Sequence, residues 1–501
     1  MARNKNTTLV ATLLRKKIIE NDMKKLLLTP VLILCMLYAH AFCGFYVAKA
    51  GAELFNNTSQ VIIVRDGNKS VITMSNDFSG NVADFAMVIP VPQVLQRDQI
   101  RLSSAELFGK LDAYSGPRLV EYYDQNPCNP VIQREMKSMQ NSAPPMLEIV
   151  EDSPEEDKDY GVTIEAQYAV GEYDILILSA KESDGLKTWL TSNGYKIPEK
   201  AARVLEPYIK SKMKFFVVKV NLEAHQIQGN QQLKPLQIEF ESEKFMLPIR
   251  LGMANSKGEQ DMVVYALTRT GRVETANYRT LEIPSNRNIP TFVKEKFGQF
   301  YTDLFEKTHQ LAGKNTVFVE YAWNVSPTWG GMKCDPCVGP PPIYADLANA
   351  GVWWLNETQA KEVFFTRLHV RYSEDKFPED LFFIATPNKT QFQGRYILTH
   401  PAGGDLSCDA GSTYQRELNH RRNKELSELS ALAGWNTSKY TRYVESGSNY
   451  IDEKRNSTPI IVPGNKSPGA GGGILFVGLV LFGLLSIIYL LDLRKNKVAM
   501  S

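Results

Sequence analysis

The stretch QVIIVRDGNKSVITM (residues 60–74) places two runs rich in β-branched residues on either side of an Asp-Gly dipeptide. Asp66-Gly67 tolerates the positive φ angles of a tight hairpin turn, so the stretch predicts an antiparallel β-hairpin. A third run, residues 85–91, is apolar throughout and predicts a strand buried on both faces. Pro90 and Pro92 should place that strand at an edge or an end of a sheet, because proline donates no ladder hydrogen bond.

Outward from the hairpin, predicted strands cluster in groups and do not alternate strictly with helices. Apolar or alternating runs predict further strands at 162–170, 173–178, 215–220, 262–268, 317–321, 364–371, 381–385 and 394–398. Helical patterns occupy 186–190, 199–209 and 412–435, and Ser103 with Glu106 has the spacing of a capping box. This grouping favours an α+β fold with mainly antiparallel sheets and flanking helices.

The composition is that of a chain folded mostly in water. Of 501 residues, 43% are hydrophobic and 22% are charged, which argues against wholesale disorder and against a multispan membrane protein. The 57 basic and 55 acidic side chains nearly balance. A nucleic acid partner is not expected, because such partners require a basic surface that displaces counterions from phosphates.

The N-terminal region has the pattern of a secretory signal. Lys24 and Lys25 precede an apolar run at 26–38, and Ala39-His40-Ala41 follows with small residues at the positions a signal peptidase reads. We expect a signal peptide over residues 1–41, cleaved between Ala41 and Phe42, with Met23 as an alternative start. An uncleaved anchor is the other interpretation, although the run is shorter than the roughly 20 residues that cross a bilayer.

The C-terminal region has the pattern of a single membrane anchor. Residues 474–491 are apolar and uncharged, which predicts a transmembrane helix, and the basic tail at 492–501 is typical of a cytoplasmic flank. The Gly- and Pro-rich residues 446–473 predict a flexible stalk. The expected topology is single-pass, with the lipid bilayer as a partner and the ectodomain outside the cytoplasm. A cleaved sorting signal has the same order of features and is the alternative.

Within the expected ectodomain, one acidic segment stands between two apolar-rich parts. Residues 140–160 contain prolines and a run of carboxylates too polar to bury, so they predict a solvated linker or loop. It separates an N-terminal part, residues 42–139, from the main α+β part, residues 161–445.

Removal of the signal leaves an odd number of cysteines. An odd number outside the cytoplasm leaves one thiol unpaired or bound to another chain, and the sequence does not fix the pairing. The five candidates for disulfide or redox roles are Cys43, Cys128, Cys334, Cys337 and Cys408.

The Cys334-Asp-Pro-Cys337 motif has three interpretations: a redox disulfide, two zinc ligands, or a structural bridge. The proline-rich residues 338–342 do not start a helix promptly, which disfavours a thioredoxin-like pair. Zinc would need further ligands such as Cys408 and His400. A structural bridge is the default in an exported domain, so we expect no metal and no cofactor.

Four tryptophans flank this motif. Exposed rings could stack against a sugar or a peptide, whereas buried rings would simply pack in the core. The four are Trp323, Trp329, Trp353 and Trp354.

The sequence lacks the common hydrolase and nucleotide-binding signatures, namely G-x-S-x-G, H-E-x-x-H, a P-loop and G-x-G-x-x-G. It therefore favours a membrane-anchored binding or structural module of the cell envelope, with an unknown envelope protein or glycan as ligand. The alternative is an extracytoplasmic thiol-redox or zinc-dependent enzyme that uses Cys334 and Cys337. No catalytic residue can be assigned.

Several motifs together resemble an exported bacterial family, Domain of Unknown Function 2330. They are FCGFYVAKA at 42–50, DFAMVIPVP at 84–92, and WNVS at 323–326 leading into CDPC at 334–337. The resembling segments lie between about residues 42 and 437. The family has no established activity, so the resemblance implies signal-led export and, in many members, a C-terminal anchor, but supplies no catalytic residues.

Overall fold

The described part of the chain is built around two stacked β-sheets with helices on their outer faces, together with four smaller sheets of two or three strands. The computed structural model describes residues 45–46, 48–49, 55–56, 59–75, 78–79, 86–129, 161–193, 195–196, 201–221, 233–254, 258–355 and 361–445.

The strands and helices are numbered here in chain order. The strands are β1 (Phe45–Tyr46), β2 (Ala48–Lys49), β3 (Phe55–Asn56), β4 (Ser59–Asp66), β5 (Lys69–Met74), β6 (Phe78–Ser79), β7 (Ala86–Val91), β8 (Ile100–Leu102), β9 (Arg118–Tyr123), β10 (Val162–Val170), β11 (Tyr173–Ala180), β12 (Tyr195–Lys196), β13 (Lys214–Val220), β14 (Leu236–Glu241), β15 (Met246–Leu247), β16 (Gln260–Thr268), β17 (Val273–Thr275), β18 (Arg279–Glu282), β19 (Arg287–Asn288), β20 (Thr316–Asn324), β21 (Phe364–Tyr372), β22 (Leu381–Ala385), β23 (Phe392–Gln393) and β24 (Arg395–His400). The helices are α1 (Ala105–Ser115), α2 (Ser183–Ser192), α3 (Ala201–Lys210), α4 (Arg250–Ala254), α5 (Phe297–Leu311), α6 (Tyr344–Asn349), α7 (Asp409–Ala433) and α8 (Thr441–Glu445).

The two main sheets differ in strand direction. The five-stranded sheet has the order β1-β7-β13-β11-β10, and all its neighbours are antiparallel. The nine-stranded sheet has the order β18-β20-β21-β16-β4-β5-β14-β8, with β23 also on β20. It is mixed, because β16 and β4 are parallel and so are β18 and β20. The predicted α+β class is confirmed, with both antiparallel and mixed sheets.

Apolar burial explains the layers. One cluster joins the facing sides of the two sheets, for example Val61 and Val264 of the larger sheet with Ile175 and Val218 of the smaller. The outer face of the five-stranded sheet packs against α2 and α3. The outer face of the nine-stranded sheet is covered by α1 and residues 347–355 at one place and by α5 and α7 at another. The alternation of side chains in each strand thus fills two opposite interfaces.

The predicted hairpin is formed by β4 and β5, which pair antiparallel from Val61–Met74 to Asp66–Lys69. Gly67 has a φ of 58°, the left-handed conformation expected at this turn. The predicted buried strand is β7, which pairs with β13 along its length. On its other side β1 reaches only Met87 and Val88, so Pro90 lies beyond that ladder.

The cap of α1 differs from the sequence prediction by one residue. Ser104, not Ser103, is the N-cap, and its hydroxyl accepts a hydrogen bond from the Glu106 N–H at 3.1 Å. Ser103 cannot cap because it still extends strand β8: its N–H donates to the Pro235 carbonyl at 2.8 Å.

Strands from both sides of the acidic segment share the two sheets. β7, from the N-terminal part, lies beside β13, and β4 lies beside β16. All of the expected linker at 140–160, the signal peptide and residues 446–501 lie outside the described residues. Among the residues that are described, no helix has the length and apolar character needed to cross a membrane.

Candidate binding surface on a disulfide-braced loop

Four of the five candidate cysteines form two disulfides. Cys128 bonds to Cys408, 280 residues away along the chain, with a Cα–Cα distance of 6.0 Å. Cys334 bonds to Cys337, with a Cα–Cα distance of 5.0 Å. The fifth, Cys43, lies outside the described residues.

The weak zinc candidates are engaged elsewhere in this oxidised state. Cys408 and the Cys334–Cys337 pair offer no thiolate while they are bridged. The Nε2 atom of His400 lies 2.8 Å from a carboxylate oxygen of Glu121, not beside a sulfur ligand. Across the described ranges, no group of three or more His, Cys, Asp or Glu side chains has a metal-binding arrangement. A zinc site on these cysteines would therefore require reduction of both bridges.

The long-range disulfide fixes the start of α7 beside the segment that follows β9. Cys408 is the N-cap residue of α7. Close to it, the Asp124 carboxylate accepts hydrogen bonds from Tyr414 and Arg421, both at 2.6 Å. The charged contact and the bridge together hold the helix against the sheet.

The short disulfide closes a turn inside residues 327–343, which we call the braced loop. Four of its backbone carbonyls accept hydrogen bonds from side chains of the surrounding strands and helix. The hydroxyls of Tyr114 on α1 and Tyr321 on β20 both donate to the Lys333 carbonyl, at 2.8 and 2.6 Å. The indole N–H of Trp323 donates to the Met332 carbonyl at 2.7 Å. Side chains of α1 and β20 therefore satisfy the carbonyls of Met332 and Lys333 on the side of the loop that faces the protein.

Two arginines hold the part of the loop that contains the disulfide. Arg118, at the start of β9, donates to the Pro336 carbonyl at 3.0 Å. Arg395, at the start of β24, donates to the Asp335 carbonyl at 3.2 Å and pairs with the Asp335 carboxylate at 2.5 Å. β9 and β24 are parallel neighbours, with Arg118 and Arg395 in register. Their alignment places both guanidinium groups against one turn.

The side chains of the braced loop face the other way. Eight large apolar side chains are exposed among the described residues, and four of them belong to this loop. They are Trp329 (43% exposed), Met332 (63%), Val338 (58%) and Ile343 (44%). A loop normally turns polar groups to water. This one turns the carbonyls of Met332, Lys333, Asp335 and Pro336 inward while four of its apolar side chains are exposed. The loop is therefore the candidate interaction surface.

The four flanking tryptophans do not share one exposed surface. Trp323 and Trp354 are buried among apolar side chains. Trp353 is half-buried, with the Lys69 ammonium 4.9 Å from its ring centroid. Trp329 is the exposed ring, so it is the member of the set that the braced loop presents to solvent.

A buried charge cluster lies under α1, between the sheet and the helices. A β-bulge in β20 interrupts its register with β21 between Val319 and Tyr321. It lets Glu320 and the next residue, Tyr321, both face the helices. Arg367 donates to Glu320 at 2.5 Å and to Asp112 of α1 at 2.6 Å. The arginine therefore ties the sheet to the helix whose tyrosine supports the loop.

His369 completes the cluster. Its Nδ1 lies 2.7 Å from Glu320 and its Nε2 lies 3.4 Å from Asp261. Burial alone would raise the pKa of the Glu320 carboxyl, but His369 and Arg367 lower it to about 2. Burial alone would lower the pKa of the His369 imidazole, but Glu320 and Asp261 raise it to about 9.

These pKa values decide what the cluster can do. At neutral pH Glu320 is an anion and His369 a cation, so the imidazole has no free lone pair to accept a proton. A general acid or base works best with a pKa near the operating pH. The cluster is therefore arranged as an ion network that holds elements together, and it is poorly poised for proton transfer at neutral pH.

Sequence reasoning missed the residues that hold the loop and the cluster. Arg118, Arg395 and Tyr114 carry no motif, and their roles depend on elements distant in sequence. A usable signal was the lone charge of Glu320 inside the apolar run of β20, because a buried charge requires a partner.

The described residues form an α+β protein with two stacked sheets between helical layers and two disulfides. The chain belongs to the family described as uncharacterized protein conserved in bacteria, Domain of Unknown Function 2330, whose model matches residues 37–384. The match includes Cys128 and the braced loop but ends before Cys408. No curated protein and no solved structure matches the chain.

Proposed function

We propose that this protein is a membrane-anchored extracytoplasmic module of the bacterial cell envelope with a binding or structural role. The observation that carries the proposal is the Cys128–Cys408 bridge, which joins segments 280 residues apart. Structural disulfides persist in oxidising compartments and are rare in the cytoplasm. The sequence supports the same location through the predicted signal at 1–41 and the predicted anchor at 474–491.

Two features favour a binding role over catalysis: the exposed braced loop and the buried charge cluster. The exposed apolar residues of the braced loop are supported by a rigid frame of side chains. In the buried charge cluster, the pKa of Glu320 lies well below neutral pH and the pKa of His369 lies above it. Neither group is therefore suited to proton transfer at neutral pH. The remaining rival is a thiol-redox or zinc-dependent enzyme at Cys334 and Cys337, which requires that bridge to open during function.

Reporter fusions at two positions test the proposed topology. Alkaline phosphatase, which is active only outside the cytoplasm, should be active when fused after Glu445 and inactive when fused after Ser501. A fluorescent protein that matures only in the cytoplasm should give the opposite pattern. Phosphatase activity at Ser501, or its absence at Glu445 with a stable fusion, would overturn the proposal.

A further inference from the structure

We propose that the braced loop contacts the surface of the lipid bilayer, with Trp329, Met332, Val338 and Ile343 entering the interfacial region. The inference rests on the proposed function, because it assigns the anchored domain's apolar surface to the membrane that holds it.

The first argument is the orientation of the loop. The Lys333 carbonyl accepts from Tyr114 and Tyr321, and the Met332 carbonyl accepts from Trp323. Main-chain groups that would otherwise have to be desolvated on contact with lipid are already satisfied inside the protein. The loop can therefore approach an apolar phase without stripping water from its inner carbonyls.

The second argument is charge. Lys333 and Asp335 are the charged residues of the braced loop. The Lys333 ammonium lies 3.4 Å from the Pro327 carbonyl, and Asp335 is paired with Arg395. The exposed surface of the loop therefore presents Trp, Met, Val and Ile side chains. Tryptophan is enriched at membrane–water interfaces, because its ring is apolar and its N–H can form a hydrogen bond.

The third argument is rigidity. The Cys334–Cys337 bridge and the arginine contacts of the loop restrict its backbone before any contact is made. A preorganised loop loses little conformational entropy on binding. Within this frame the indole N–H of Trp329 donates to the Met332 carbonyl at 3.4 Å, and 43% of the side chain stays exposed.

The predicted stalk and anchor favour the bilayer over a soluble partner. The described chain ends at residue 445, and the predicted stalk at 446–473 precedes the predicted anchor. As the flexible linker that its sequence predicts, this stalk would have a root-mean-square span of about 30 Å. A tether of that reach holds the loop at a high effective concentration next to the membrane.

Brominated-lipid quenching of tryptophan fluorescence tests the contact directly. The full-length protein is reconstituted in vesicles of phosphatidylethanolamine and phosphatidylglycerol, with and without brominated acyl chains. We expect bromine to quench part of the wild-type emission and Trp329→Phe to lose that quenchable part. The matched control is Trp353→Phe, which removes a half-buried ring outside the loop and should keep it.

A second variant guards against a merely structural effect. Met332→Asp/Val338→Asp adds two charges at exposed positions and should unfold at the wild-type temperature, yet lose protection of the loop from hydrogen exchange in vesicles. Protection of the wild-type loop without bromine quenching would come from the fold itself or from a second copy of this chain, and it would overturn the lipid assignment. Equal quenching in wild type and Trp329→Phe would also overturn it.

Alkaline carbonate extraction of the same vesicles separates this inference from the proposed function. A chain that resists extraction but shows no Trp329 quenching is anchored without loop contact, so the inference fails alone. A chain that is extracted has no integral anchor, so the proposed function fails, and quenching at neutral pH still reports on the loop.

Discussion

Glu320 is the residue on which the interior polar network depends. It is fully buried, and it accepts from Arg367 while contacting His369 and the Tyr301 hydroxyl. Burying a carboxylate is costly, and the cost is offset here by two cationic partners. The same reasoning explains why β20 carries a bulge, since an unbroken strand could not aim both Glu320 and Tyr321 at the helices.

Glu320→Gln should destabilise the protein by about 3 kcal/mol, because two buried cations lose their shared anion. Glu362→Gln is the matched control: Glu362 pairs with Lys389 at the surface, where a pair contributes about 0–1 kcal/mol. Urea unfolding of both variants measures the difference. Equal losses in the two variants would contradict the account of the cluster.

His369 should make stability depend on pH above neutrality. Its folded pKa, about 9, lies above the ordinary 6.5, so its contribution is fully present below pH 6.5 and is lost as the pH rises through 9. We expect the free energy of unfolding to fall by about 1–3 kcal/mol over this interval. Burial lowers the pKa of His309, so its effect on stability changes with pH only below the ordinary histidine pKa of about 6.5. It therefore does not contribute to the decline between pH 6.5 and 9.

Urea titrations at a series of pH values measure this slope. His369→Gln should be less stable than wild type at pH 6.5 and should lack the decline between 6.5 and 9. If the free energy of unfolding of His369→Gln fell as steeply with pH as that of the wild type, the pH dependence would belong to another group.

At the scale of elements, the sequence predicted individual strands better than it predicted helix α5 or the irregularities in strand pairing. The predicted strand at 381–385 has the same first and last residues as β22. The match arises because an uninterrupted apolar run lies between polar residues, so the strand's limits can be read from its own sequence. Helix α5 was not predicted. It is rich in aromatic residues with modest helix propensity and packs against Phe318 and Tyr396, contacts that its own sequence cannot reveal. The bulge at Glu320 is likewise a property of two strands together.

Two helical glycines should respond oppositely to alanine. A Cβ at Gly411, in the first turn of α7, would overlap the Leu406 carbonyl, whereas a Cβ at Gly109, inside α1, would meet no heavy atom within 4 Å. Gly109→Ala should stabilise by about 0.5–1 kcal/mol through helix propensity. Gly411→Ala should destabilise by about 1–3 kcal/mol through overpacking. Thermal unfolding of the two variants, followed by circular dichroism, measures both, and a stabilised Gly411→Ala would contradict the packing described at the start of α7.

At the scale of the whole molecule, sequence reasoning favoured a bridge between Cys334 and Cys337, which the structure contains, but assigned no partner to Cys128 or Cys408. Cys128 and Cys408 are 280 residues apart, and their meeting depends on β9 pairing with β24. No local pattern encodes that parallel pairing. The tryptophans illustrate the same limit, because position near a motif did not predict that Trp323 and Trp354 would be buried while Trp329 is exposed.

The two disulfides should differ in their effect on stability. In the chain-entropy model the contribution grows with the logarithm of the closed loop, so the Cys128–Cys408 bridge should stabilise by about 3–4 kcal/mol more than the Cys334–Cys337 bridge. Paired serine substitutions at each bridge, compared by urea unfolding, test this. A larger loss for the short bridge would show that the braced loop supports the whole fold.

The most direct test of an extracytoplasmic, disulfide-stabilised module is the thiol state of the protein in its own cells. Cells are quenched in acid and alkylated before and after reduction, and the peptides of Cys128, Cys334, Cys337 and Cys408 are read by mass spectrometry. The account predicts that all four are blocked from alkylation until the sample is reduced. Free thiols at Cys128 and Cys408 in the folded protein would contradict it and would place the chain in a reducing compartment.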